Sequence, residues 1–225
     1  MVAHKVEQER GFPAGNGRSH RWAEGRRYQT TAWRMLVQSD WASLMSSRRR
    51  GQRLLRLSAA VSLAVVCFFS VLSFGYLSRP AAARVLIPLP PILFPNTGVL
   101  LASSLALWNA GRDLAAERVR SMLRWLVIAL GLGCVFVGGQ VLAWREWWQA
   151  GVFLKDAPAS RFFYVLTAAH AAHIAAGLVA IAAVFSLAWR GRLRADAPAP
   201  LRAASLFWHC LGLTWIWIYF MLWRF

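Results

Sequence analysis

Residues 162–189 read FFYVLTAAHAAHIAAGLVAIAAVFSLAW, a run of 28 residues without a single Asp, Glu, Lys or Arg. About 20 apolar residues are enough for an α-helix to cross the hydrocarbon core of a bilayer. Hydrocarbon offers backbone groups no outside hydrogen-bond partner, so a segment that spans it has to be helical. The stretch therefore predicts a transmembrane helix, and it sets the fold class of the chain.

Four more apolar runs of similar length lie on either side of this stretch. They are Leu57–Leu77, Pro91–Ala110, Trp125–Trp144 and Ala203–Trp223, and the central run is Phe162–Trp189. Of the 225 residues, 58% are hydrophobic and 16% are charged, whereas soluble domains carry about a quarter charged residues. The sequence predicts an all-α polytopic membrane protein, with a bundle of five transmembrane helices in residues 57–225.

Residues 1–56 form a basic segment with a different composition. Residues 1–25 are rich in Gly, Arg and Glu, which predicts disorder. Apolar side chains at helical spacing over residues 28–47 predict either a helix that lies in the membrane interface or a docking segment for a partner. The segment is too polar for a secretory h-region, so the first apolar run is predicted to be an uncleaved signal anchor.

The basic residues indicate how the helices are oriented. Of the 26 Lys and Arg residues, 20 lie in residues 1–56 and in the loops after the second and fourth runs, and 6 lie on the opposite side. Because cytoplasmic loops carry the excess of Lys and Arg, the N-terminus is predicted to be cytoplasmic and the C-terminus outside. The net charge of +17 is thereby explained by topology. Nucleic-acid binding, which needs a basic face on a soluble domain, is not expected.

Three histidines are the ionisable side chains inside the runs, apart from cysteine: His170, His173 and His209. Ionisable groups in a bilayer are costly unless paired, so each is a candidate functional residue, as is the polar Gln140. His170 and His173 share one helical face and could bind a metal or haem. The pair lacks the Glu of a HExxH zinc site. Neutral imidazoles that hydrogen-bond between helices or to a lipid headgroup are the favoured interpretation.

Cysteines and small residues indicate packing more than chemistry. Cys67, Cys134 and Cys210 lie singly within the runs, which predicts small buried hydrophobic residues with no zinc or dinuclear copper site. Small residues recur every four positions in the fourth run: Ala168, Ala172, Ala176 and Ala180, with Gly177 beside them. Since small residues let helices approach closely in lipid, this helix is predicted to be central to the bundle.

Tryptophans cluster near the predicted span ends. They are Trp108, Trp125, Trp144, Trp147, Trp148, Trp189 and Trp223. Amphipathic rings prefer the membrane interface, so nearly all of these side chains are predicted to face lipid and to have no role in a site.

Four segments carry further information through their order and spacing. They are LPPILFPNTGVLLASS (89–104), GGQVLAWREW (138–147), RFFYVLTAAHAAHIAAGLVA (161–180) and LFWHCLGLTWIWIYF (206–220). Together they resemble the haem–copper oxidase subunit III family: its proline-rich helix start, its Gln-containing helix end, its FFYLLTG-x-HG-x-H segment and its terminal WHF-x-D helix. The resemblance implies a short five-helix bacterial form, similar to helices three to seven of that fold.

The resemblance implies a non-redox accessory subunit of a respiratory terminal oxidase in the bacterial inner membrane. The complex would oxidise cytochrome c, reduce oxygen to water and translocate protons, with haem and copper in catalytic subunits I and II and none in this chain. This subunit would stabilise its partners, support proton uptake and hold phospholipid. Polar inter-helix or lipid contacts are then expected from His170, His173, His209, Trp208, Gln140, Arg190 and Arg192, the two arginines as charge-assisted donors to a phosphate.

Departures from the family pattern bear on proton handling. Alignment on Phe68–Phe69 puts Val65 where family members often carry a glutamate, and Gly212 replaces an aspartate. Any contribution to proton uptake is therefore expected to be indirect. Two alternatives stay open: a cytochrome b-like electron carrier that uses His170 or His173 with His209 as haem ligands, and a subunit III-like partner of a quinol oxidase or nitric oxide reductase.

Overall fold

The computed structural model describes residues 49–78, 89–151 and 158–224, with side chains from Tyr164 onward in the last range. These residues form five α-helices: α1 (Arg49–Leu77), α2 (Leu93–Ala115), α3 (Val119–Gln149), α4 (Pro158–Trp189) and α5 (Ala199–Arg224). The predicted all-α bundle of a membrane protein is confirmed. The predictions of disorder in residues 1–25 and of a helix over 28–47 fall outside the described residues.

The helices extend beyond the predicted spans. α3 begins six residues before Trp125 and ends five residues after Trp144, because helix formation does not stop where the hydrocarbon ends. Among the described residues, α1, α3, α4 and α5 are long and apolar enough to cross a membrane. The 23 residues of α2 extend about 34 Å, which is long enough to cross the hydrocarbon core of a bilayer. α2 therefore differs from the other four helices in its polarity and not in its length.

The polar side chains of α2 are buried against α3. The Asn96 amide nitrogen donates to the Phe136 carbonyl at 3.0 Å, and the Ser103 hydroxyl donates to the Ala129 carbonyl at 2.9 Å. A Cβ at Gly139 would collide with the Asn96 amide, so a glycine is needed for this close approach. Hydrogen bonds to the α3 backbone thus offset the cost of placing these polar groups at depth.

The first and last helices run parallel along what we call the α1–α5 seam. Three hydrogen bonds define it: Ser58 Oγ to the Ala203 carbonyl (2.7 Å), Cys210 Sγ to the Ser62 carbonyl (3.6 Å) and Trp217 Nε1 to Ser73 Oγ (3.1 Å). Residue numbers rise together on both helices, which fixes the parallel direction. α2 and α4 each pack against α3 and α5, so α2 to α5 form a closed ring.

The predicted packing face of α4 is wrong. Ala168, Ala172 and Ala176 are exposed in this chain. The buried face carries larger side chains and one glycine: Leu166, His170, Ile174, Gly177, Ile181 and Val184. The buried share of the most apolar stretch is 39% in α3 and in α5 but 28% in α4, so α4 is not the most deeply buried helix of the bundle. A helix that is apolar all round gives no periodic signal for its inner face.

The cysteines are also placed differently from the prediction. All three are free thiols, but Cys67 and Cys134 are exposed on the outer faces of α1 and α3. Cys210 alone is partly buried, where its thiol contacts the seam. The lipid around the bundle and the interior of the bundle are both apolar. A small apolar residue therefore does not have to face inward.

Candidate functional site

His170 lies at the centre of an aromatic cluster formed by His170, Phe69, Phe136 and Trp215. Its ring is 1% exposed and stacks on Trp215, with centroids 5.2 Å apart and planes at 30°. Phe69 and Phe136 meet it edge-on at 5.8 Å and 6.4 Å. Neither ring nitrogen has a hydrogen-bond partner within the described chain. The imidazole therefore joins α1, α3, α4 and α5 through ring contacts.

His173 lies one turn further along α4 and faces α1. Its Nδ1 is 2.7 Å from the Ala169 carbonyl oxygen, which can only accept, so Nδ1 carries the proton. The ring packs between Phe68 and Phe69, with centroid distances of 6.2 Å and 5.6 Å. Across the described ranges, no three His, Cys, Asp or Glu side chains come together as a metal site.

Trp208 and Gln140 are both buried within the bundle. The Trp208 indole fits against Gly133 and Gly177, where an added Cβ would come within 3.0 Å and 2.8 Å of the ring. The two glycines therefore create the space that lets α3, α4 and α5 close around one indole. Gln140 lies one turn after Phe136 on α3. Its amide nitrogen and the Trp208 Nε1 have no hydrogen-bond partner among the described residues.

His209 lies in different surroundings from His170. It precedes Trp215 by six residues on α5, which is about 9 Å of helix. There it lines a cavity of about 450 Å³ between the C-terminal end of α2 and the N-terminal end of α5. We call this cavity the arginine pocket. Its lining residues are Leu107, Trp108, Gly111, Arg112, Leu114, Ala115, Ala195, Pro198, Leu201, Arg202, Ser205 and His209.

Positive charge dominates the arginine pocket. The Arg112 guanidinium lies 5.0 Å from the centroid of the Trp108 ring, a cation–π contact. Arg202, Ser205 and His209 follow one another at helical spacing along one face of α5. None of the described lining residues is acidic. The pocket can therefore accept an anionic group next to an apolar wall.

An ion pair between Arg118 and Asp113 closes the α2–α3 turn beside this pocket. Arg118 donates to one Asp113 carboxylate oxygen from Nε at 2.9 Å and from a terminal nitrogen at 2.6 Å. Hydrogen bonds from Ser121 and from Arg118 hold the pKa of Asp113 below its usual value, against the opposing effect of desolvation. The carboxylate stays charged at neutral pH and fixes the turn.

Arg190 and Arg192 do not line the arginine pocket. Both are exposed just beyond α4. Gly191 between them has a φ of 66°, and the amides of Gly191 and Arg192 donate to the carbonyls of Ala188 and Leu187. This is the Schellman arrangement that ends a helix. The two arginines therefore flank the glycine that ends α4.

A family model described as cytochrome c oxidase subunit III matches residues 60–225. The chain belongs to this family. The identification from the four motifs is confirmed, and with it a multi-pass membrane protein.

Individual relatives carry two kinds of name. Probable quinol oxidase subunit 3 of Staphylococcus saprophyticus is 33% identical over 130 residues, which are 57% of this chain and 64% of that protein. Cytochrome c oxidase subunit 3 of Thermostichus vulcanus is 30% identical over 131 residues, covering 56% of this chain and 62% of that protein. The chain spans less than two thirds of the length of these curated relatives.

In this subunit III family member, the structure brings forward several residues that the sequence pattern did not single out. Asn96 is a polar side chain inside a predicted span, and its polarity is a signal from which a buried contact could be predicted. Arg112 and Arg202 were counted only as topology signals, and 90 positions separate them in the sequence. Only the antiparallel packing of α2 on α5 brings them to one cavity.

Proposed function

We propose that this chain is the non-redox subunit III of a bacterial haem–copper terminal oxidase and that it binds and stabilises catalytic subunits I and II. The observation that carries the proposal is the family match over residues 60–225, which covers nearly all of the five-helix bundle. Haem and copper belong to the partner subunits. The whole complex would oxidise cytochrome c, reduce oxygen to water and translocate protons.

A quinol oxidase is the second candidate complex. The two relatives named above illustrate the choice: one is called a probable quinol oxidase subunit 3, and the other a cytochrome c oxidase subunit 3. Subunit III lies outside the redox centres in this proposal, so the electron donor is decided by subunits I and II. The partner of a nitric oxide reductase is a third version of the same scaffold role.

The positions of the histidines argue against a cytochrome b-like carrier. Axial haem ligands have to face one another across a single haem. His170 packs at the level of Trp215, whereas His209 lies about 9 Å away along α5 and faces the arginine pocket. The His173 ring packs against Phe68 and Phe69 of α1, away from that pocket. We therefore assign His170, His173, His209, Trp208 and Gln140 to contacts that hold the bundle or its lipid together.

Lipid and proton roles are part of the proposal. Arg190 and Arg192 extend beyond α4 and suit a phosphate headgroup as charge-assisted donors. Val65, where family members often carry a glutamate, is buried in the core of the bundle. A valine cannot bind a proton, so this subunit would aid proton uptake through packing and through the positive charge of its cytoplasmic loops.

Gentle purification of the tagged chain tests this function directly. We expect subunits I and II to co-purify and the complex to oxidise either reduced cytochrome c or a quinol, which identifies the donor. The isolated chain should show no stoichiometric haem in its visible spectrum. A Soret band with one haem per chain would instead establish the electron-carrier alternative.

Orientation requires its own test. We propose a cytoplasmic N-terminus and an outer C-terminus, which places the arginine pocket on the cytoplasmic side. A reporter that is active only outside the cytoplasm, fused after Phe225, should be active. Activity of a cytoplasm-specific reporter at the same position would reverse the assignment.

A further inference from the structure

Two exposed stripes converge on the arginine pocket. On α2, Leu101, Leu105, Trp108 and Arg112 recur at steps of three and four and share one helical face. On α5, Arg202, Leu206, His209 and Leu213 do the same. In each stripe the arginine stands at the pocket end and exposed leucines extend away from it. The α2–α5 groove is thus cationic at one end and apolar along its length.

The two arginines of the groove lack the acidic neighbours that others at this end of the bundle have. Arg118 pairs with Asp113, and Arg194 lies 3.4 Å from Asp196. Within the described residues, neither Arg112 nor Arg202 has such a partner. Two cations on the wall of one cavity repel each other, and a bound anion removes that cost. The arginine end of the groove therefore carries positive charge that no acidic side chain of the described residues compensates.

We propose that the α2–α5 groove binds one anionic phospholipid. Its phosphodiester would accept hydrogen bonds from Arg112 and Arg202, and its acyl chains would lie along Leu101, Leu105 and Leu213. The inference deepens the lipid-holding part of the proposed function and rests on it. The site is separate from the Arg190–Arg192 pair, which does not line the pocket.

The apolar stripes select a lipid over a soluble phosphate. A free phosphate would use the two arginines and gain nothing from the leucines. Trp108 is about half exposed beside Arg112, the position that an indole takes at the boundary between headgroups and acyl chains. A headgroup without its own cation, such as phosphatidylglycerol, satisfies both arginines, whereas the choline of phosphatidylcholine already compensates its phosphate.

Native mass spectrometry of the purified oxidase complex in mixed phosphatidylglycerol and phosphatidylcholine provides the test. The double variant Arg112→Gln/Arg202→Gln should retain one phosphatidylglycerol fewer than the natural complex and should bind that lipid at least about tenfold more weakly per arginine lost. The matched control is Arg120→Gln/Arg124→Gln, which removes two exposed arginines at the same end of the bundle but outside the groove. It should retain the full lipid count.

Each other outcome is decisive. An unchanged phosphatidylglycerol count in the double variant, with all subunits present, overturns the lipid site and leaves the scaffold function standing. Equal retention of phosphatidylcholine, or release of the lipid by millimolar inorganic phosphate, overturns headgroup recognition or the lipid source. Failure of the natural chain to associate with subunits I and II contradicts the proposed function itself. Where the double variant does not assemble, Arg202→Gln alone is measured in the same way.

Discussion

The aromatic cluster around His170 and the arginine pocket around His209 place the same side chain in opposite surroundings. His170 is enclosed by three aromatic rings from three other helices. His209 borders an open cavity with two arginines. Both histidines belong to motifs of one family, and both lie in apolar runs. A histidine in an apolar run can thus pack among aromatic rings in one place and border an open cavity in another, depending on which helices meet there.

Replacing one tryptophan in each region should give the largest difference in stability between the two regions. Trp215 is 1% exposed in the aromatic cluster and donates Nε1 to Thr97 at 3.0 Å, whereas Trp108 is 53% exposed beside the pocket. Trp215→Ala removes a fully packed ring and should lower the free energy of unfolding by about 3–5 kcal/mol. Trp108→Ala should change it by less than about 0.5 kcal/mol. Denaturation in detergent micelles, followed by circular dichroism, measures both. Equal losses would mean that the two regions do not differ in packing.

Replacement of each histidine by phenylalanine tests the comparison itself. His170→Phe should change the free energy of unfolding by less than about 1 kcal/mol, because neither ring nitrogen has a partner in the described chain and an apolar ring of similar shape fills the space. His209→Phe should leave stability unchanged but reduce retention of anionic lipid. A loss above about 2 kcal/mol for His170→Phe would reveal a polar inter-helix contact at this residue.

Low pH should destabilise the α2–α3 turn beside the arginine pocket and leave the aromatic cluster unchanged. This is the smallest of the three expected effects. The folded pKa of Asp113 lies below the ordinary 3.8, so its stabilising contribution is present above that value and is lost as pH falls through the folded pKa. The protection of the α2–α3 turn against hydrogen exchange, measured relative to the intrinsic rate at each pH, should therefore fall at low pH.

The matched variants for the acid effect are Asp113→Asn and Asp196→Asn. Asp113→Asn should abolish the dependence of the turn on pH. Asp196→Asn removes a carboxylate from an exposed ion pair and should leave that dependence intact. Acid-induced exchange that starts instead at Phe136 or Trp215 would place the weak point in the aromatic cluster.

The sequence predicted the helices well because their signal is length and apolar content, which a bilayer imposes directly. Which side chains face the lipid and which face the interior of the bundle was predicted poorly. Trp147 and Trp148 are adjacent and were both expected to face lipid, yet Trp147 is 3% exposed and Trp148 is 66% exposed. Lipid and protein interior are both apolar, so hydrophobicity does not distinguish the two sides of a helix in a membrane.

The candidate sites also divide into one that can be predicted from the sequence and one that cannot. His170, His173 and His209 could be singled out because an ionisable residue inside an apolar run is rare. The arginine pocket could not, since Arg112 and Arg202 lie at span ends, where basic residues are ordinary topology signals. Their significance arises from the packing of two helices that are separated by the whole of α3 and α4 in the chain.

The α1–α5 seam has a consequence for biosynthesis. A ribosome delivers helices to the membrane in chain order, so α1 is inserted while its seam partner has not yet been synthesised. Until α5 arrives, the Ser58, Ser62 and Ser73 positions lack their partners, and Phe69 has no closed cluster to join. The last helix to emerge thus completes the environment of the first.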